Sequence, residues 1–123
     1  MPNINAALGC AQLENLDKYI ASKRKVAAEY IEFFKNVDGI DFFVEPENTF
    51  SNYWLSAVVL KDKESQLDFL KQTNDNGVMT RPIWELMNRL PMFENCENDG
   101  LVNTIWFADR VVNIPSSVRI EGI

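Results

Sequence analysis

The chain has 123 residues, 46% of them hydrophobic and 11% aromatic, which suffices for one packed domain and argues against a disordered segment. Its net charge of −6, from 18 acidic and 12 basic residues, speaks against nucleic acid, which is bound by clustered Lys and Arg. Histidine is absent, which removes Ser-His-Asp and Cys-His catalysis and imidazole-ligated zinc.

Residues 4 to 36 read as one long helix, or two helices meeting at a bend. Leu13, Leu16, Ile20, Ala27, Ile31 and Phe34 keep to one stripe at helical spacing, while Glu14, Lys18, Lys25, Glu29 and Glu32 take the other sides. Asn3 or Asn5 is expected to supply the N-cap oxygen, and Asp38-Gly39 to end the run. Ala6, Ala7, Gly9, Cys10 and Ala11 are small, so another backbone can approach closely, and Gly9 within a helix costs about 1 kcal/mol relative to Ala. The basic cluster Lys23-Arg24-Lys25 reads as a solvated helix face.

Residues 40 to 44 form a short strand candidate, followed by the turn-rich Glu45-Pro46-Glu47-Asn48-Thr49. The run Tyr53-Trp54-Leu55-Ser56-Ala57-Val58-Val59-Leu60 is apolar on both alternating sets, the pattern of a central strand covered on both faces. Asp62 then predicts the N-cap of a helix to about Asn74 that buries Leu67 and Leu70, with Gly77 as its stop. Residues 78 to 81 make a third short strand, ended by Pro82, which lacks a ladder donor.

A helical turn or two is expected over residues 84 to 90, and the acidic stretch Glu94-Asn95-Cys96-Glu97-Asn98-Asp99-Gly100 reads as a solvated loop. Residues 101 to 112 predict the last helix, through Leu101, Val102, Ile105, Ala108 and Val112. Cys10 and Cys96 lack metal-ligand or redox spacing, and no apolar stretch approaches a membrane span, so a reduced, cytoplasmic protein without metal or membrane is expected. The predicted fold class is α/β in the α+β sense: one domain over residues 1–123, about three antiparallel strands backed by helices, with a long N-terminal helix.

The opening run Met1-Pro2-Asn3-Ile4-Asn5-Ala6-Ala7-Leu8-Gly9-Cys10-Ala11-Gln12-Leu13 resembles the segment that opens the small domain of pyridoxal-phosphate sugar aminotransferases, the DegT/DnrJ/StrS family. The stretches Gly77-Val78-Met79-Thr80-Arg81-Pro82-Ile83-Trp84, Met87-Asn88-Arg89-Leu90-Pro91-Met92-Phe93 and Val112-Asn113-Ile114-Pro115-Ser116-Ser117 are similar to later parts of that domain, in the same order. Within the family, they look most like the branch that aminates a 4-keto UDP-sugar for bacillosamine- or legionaminic-acid-type glycans.

The resemblance implies the C-terminal small domain of a type I, aspartate-aminotransferase-like enzyme, whose cofactor lysine lies in a preceding large domain. Pyridoxal phosphate is then expected in the full-length enzyme and not on this chain, which should be silent alone. Arg81, Trp84 and Asn88 fall on the substrate side of the cleft. Asn3 and Asn5 either cap the first helix or approach the active site of a partner subunit, because family active sites lie at dimer interfaces. No catalytic residue is expected here. Arg81 pairing with Glu85 and Trp84 packed in the core is the competing account of those two residues, and a free-standing ligand-binding or interaction module is the competing account of the whole.

Overall fold

A computed structural model describes residues 1–119 of the chain. Two helices open it, α1 (Asn3–Leu13) and α2 (Leu16–Phe34), so the long N-terminal helix is broken. Asn15 makes the break, with its side-chain amide donating to the Ala11 carbonyl at 3.0 Å. Neither Asn3 nor Asn5 caps α1. Pro2, with φ fixed at −60°, precedes the first helical residue and its carbonyl accepts the Ala6 N–H, so the helix starts at Asn3 itself. No residue of α1 is buried.

The strands are β1 (Ile40–Phe42), β2 (Ser56–Leu60), β3 (Arg81–Pro82) and β4 (Val111–Ile114), arranged in the order β1-β2-β4-β3 with every pairing antiparallel. Among the described residues four strands replace the three expected, and the extra one lies at the end of the supposed last helix. That helix, α4 (Val102–Ala108), stops early, and residues 109 and 110 turn the chain so that the Arg110 carbonyl takes the Leu60 N–H at 2.9 Å. Val111, Val112 and Ile114 are β-branched and pair with β2, which outweighs the helical spacing of Val112.

Helix α3 (Lys63–Asp75) begins at Asp62, whose carboxylate accepts the Ser65 N–H at 2.8 Å, and its end is turned by Gly77 at φ +78°. Its inner face is rotated from the expected one. Gln66 is fully buried with Phe69 and Leu70 beside it, whereas Leu67 points to solvent.

The core gathers on one side of the sheet. Phe42, Val58, Leu60, Val112 and Ile114 pack against Ala27, Tyr30, Ile31 and Phe34 of α2 and against α3. The opposite face is less covered: Val111 is buried there, Ala57, Val59 and Asn113 are half-buried, and Phe43 is exposed, meeting Phe107 of α4 edge-on at 6.3 Å. The central strand is therefore fully covered on one side and partly on the other, and residues 53 to 55 precede it.

Candidate functional site

The less covered face supplies a groove of about 550 Å³ beside β3, lined by Leu55, Met79, Arg81, Ile83, Trp84 and Asn113. Arg81 stands opposite Asn113 in the ladder, and Pro82 opposite Val112. The ring of Pro82 fixes the backbone direction just after the arginine, and the Asn113 amide donates to the Pro82 carbonyl at 3.4 Å. Arg81 is exposed, touches Met79 Sδ at 3.5 Å, and meets no carboxylate among the described residues. Glu85 pairs instead with Arg89 at 3.4 Å. The guanidinium fork of Arg81 is thus open to an anionic ligand.

Trp84 is 71% exposed, so it is no core residue. Its ring stacks on Trp54, with centroids 6.5 Å apart and planes inclined by 27°. Trp54 was hidden in the sequence inside an apparent strand. Tyr53, in the left-handed region at φ +45°, turns the chain ahead of β2, and the Trp54 N–H donates to Asn52 Oδ1 at 2.9 Å. Two donors meet the Trp54 carbonyl at 3.1 Å: Lys23 Nζ from α2 and Ser116 Oγ from the segment after β4.

The loop carrying Trp54 is fastened farther back by Arg24. Its guanidinium forks onto Glu45 at 2.7 and 2.9 Å, donates to the Ser51 carbonyl at 2.7 Å, and lies 4.2 Å from the Phe50 ring centroid. The Arg24 hydrogen bonds, joined by the Ser51 N–H, lower the Glu45 carboxyl to about 2. Burial pushes the Lys23 ammonium below its ordinary value. Two residues of the supposed solvated basic cluster therefore hold tertiary contacts.

Asn88 sits in the single 3₁₀ turn Met87–Arg89, half-buried with its Oδ1 enclosed and unpartnered, and it does not line the groove. Asn3 and Asn5 lie exposed in the first turn of α1, away from the groove lining. Both cysteines are exposed and free, and no cluster of three or more acidic or cysteine side chains suits a metal among the described residues.

The sequence profile of the DegT/DnrJ/EryC1/StrS aminotransferase family matches residues 1–122. The chain belongs to that family. It is 32% identical over 124 residues to GDP-perosamine synthase of Vibrio cholerae, covering 94% of this chain and 32% of that protein. It is 26% identical over 126 residues to dTDP-4-amino-4,6-dideoxy-D-glucose transaminase of Escherichia coli, covering 94% of this chain and 33% of that protein. The aminotransferase TlmJ of Streptoalloteichus hindustanus shares the fold, with a TM-score of 0.84 at 19% identity over 95% of this chain and 31% of that one. The chain thus spans about a third of the length of these relatives.

Aminotransferases of the DegT family depend on pyridoxal phosphate. The residues lining this groove do not suit that cofactor. Its aldehyde needs a lysine placed near an acidic partner and phosphate donors, and the groove lining contains no lysine. Lys23 is engaged by two carbonyls, Lys63 lies 3.4 Å from Asp109, and Lys71 lies 2.8 Å from Asp75. What the groove presents is a fork of donors from Arg81, the flat apolar face of Trp84 and a rigid edge at Pro82.

Proposed function

We propose that the chain is the C-terminal small domain of a sugar-nucleotide aminotransferase, and that its groove closes over the nucleotide sugar. The reaction is transfer of an amino group from glutamate to a 4-keto sugar, in the cytoplasm, for surface-glycan synthesis. The cofactor lysine belongs to the large domain preceding this segment in the whole enzyme, with which, or with a partner subunit, this chain completes the active site. Alone it is inactive.

The observation that carries this reading is that the open Arg81 fork and the Trp84 indole, itself stacked on Trp54, line one groove. A guanidinium matches the paired oxygens of a diphosphate, and an indole face matches a base or a sugar ring. The names of two relatives, a GDP-perosamine synthase and a dTDP-4-amino-sugar transaminase, support the substrate class.

The test uses the enzyme that contains this chain with its cofactor-bearing domain. Arg81→Lys retains charge and loses the fork, so nucleotide-sugar binding is expected to weaken by about 1.5 to 3 kcal/mol. Trp84→Ala is expected to weaken binding with a small change in melting midpoint, because the side chain is 71% exposed. Unchanged affinity in both variants overturns the assignment.

A further inference from the structure

Trp84, which lines the groove, stacks on a tryptophan that burial does not hold. Trp54 is 65% exposed, yet its ring lies against Trp84 at 6.5 Å. One aromatic contact contributes only about 0.5–1.5 kcal/mol, too little to fix an indole of that exposure in one orientation. The constraint comes through its backbone. Asn52 takes the N–H, and the carbonyl receives Lys23 Nζ and Ser116 Oγ.

Lys23 does more than donate to one carbonyl. Its Nζ also donates to the Ser116 carbonyl at 2.5 Å, so one ammonium ties α2 to the lead-in of β2 and to the segment leaving β4. Neither partner is a carboxylate. The group therefore acts through the number and direction of its donors, and an ammonium has three, arranged tetrahedrally, where a guanidinium has a flat fork. Removing it takes the Lys23 donor from the Ser116 carbonyl and leaves the Trp54 carbonyl with Ser116 Oγ, beside the point where the backbone turns through the left-handed Tyr53.

We propose that Lys23 is a positioning residue for the groove: its ammonium fixes the Trp54 backbone so that the indole stands against Trp84. That this matters for substrate rests on the reading of the groove given above. The positioning itself does not.

The experiment compares Lys23→Met and Lys23→Arg with the parent, in the enzyme containing this chain. Stacked indoles give an exciton couplet in circular dichroism, and subtracting the spectrum of Trp54→Phe isolates the couplet of this pair. Lys23→Met is expected to lose more than about half of that amplitude and to weaken binding of uridine diphosphate roughly three- to ten-fold, the range of one aromatic contact. Lys23→Arg is expected to lose amplitude as well, because a flat fork replaces three tetrahedral donors. It carries the test if Lys23→Met fails to fold.

A folded Lys23→Met or Lys23→Arg protein with the parental couplet overturns the proposal, as does a parent that shows no couplet. A lowered melting midpoint with the couplet intact makes Lys23 structural only, and this too overturns it. Loss of the couplet with unchanged uridine diphosphate binding supports the positioning role and overturns the nucleotide-site reading of the groove.

Discussion

Replacing Gln66 with Leu is expected to destabilise the protein by about 2–4 kcal/mol, an effect large for a polar residue on a helix. Gln66 is 0% exposed, and its amide nitrogen donates to the carbonyls of Ala108 and Val111, both at 2.9 Å. It ties the end of α4 to the start of β4. Leucine is close to glutamine in volume and strands both carbonyls, at roughly 1–3 kcal/mol for each buried group left unpaired. An offset comes from Gln66 Oε1, which is itself buried without a partner, so its removal returns about 1–2 kcal/mol. Denaturant unfolding measures the difference, with the slope checked so that only the midpoint changes. Gln66→Glu sharpens the test, because a buried carboxylate facing two carbonyls should fold only as the protonated acid and gain stability as pH falls. A Leu variant as stable as the parent, or a Glu variant indifferent to pH, refutes the tie.

Glu45 has its folded pKa depressed to about 2 from an ordinary 4.5, so its contribution is complete above about pH 4.5 and lost as pH falls toward 2. Glu45→Gln should therefore flatten the acid limb of a melting-midpoint profile, and an unchanged limb counts against the Arg24 clamp. Asp62→Ala removes the Ser65 cap and should cost about 1 kcal/mol, read by thermal melting. In α1, Ile4 and Leu8 are 81% and 60% exposed, so the chain should sediment as a dimer or larger species, and Ile4→Ser with Leu8→Ser should return it to monomer. Mixed with pyridoxal phosphate and borohydride, the chain alone should form no stoichiometric adduct on a single lysine; such an adduct removes the fragment reading.

What was legible in the sequence was mostly local. The Asp62 cap, the Gly77 stop and the exposed loop of residues 94 to 100 each follow from residues adjacent in the chain, and the structure bears them out. The inner phase of α3 was not legible, because leucines at 67 and 70 outweigh a glutamine on apolarity alone. Only the carbonyls of Ala108 and Val111, more than 40 positions away, give Gln66 a reason to be inside. Residues 101 to 112 failed for a related reason: the spacing of Ala108 and Val112 is helical, but the partner strand β2 claims Val112. The Val-Val-Asn-Ile run was the available signal. Arg81 and Trp84 were legible by resemblance, while Trp54 meets Trp84, and Lys23 meets the Trp54 carbonyl, through contacts between distant segments. Asn88, expected beside Arg81 and Trp84, is not among the residues that line the groove.

The sheet's two margins have a consequence for how the protein fails. One margin is a strand of three residues, and the other is two residues long and ends in a proline without an amide hydrogen. A stray strand docking there finds almost no backbone to pair with. Folded molecules at high concentration are thus steered away from edge-to-edge growth. Whatever accumulates under stress should be amorphous and held by side chains, dissolving in mild denaturant and leaving amyloid-binding dyes dark.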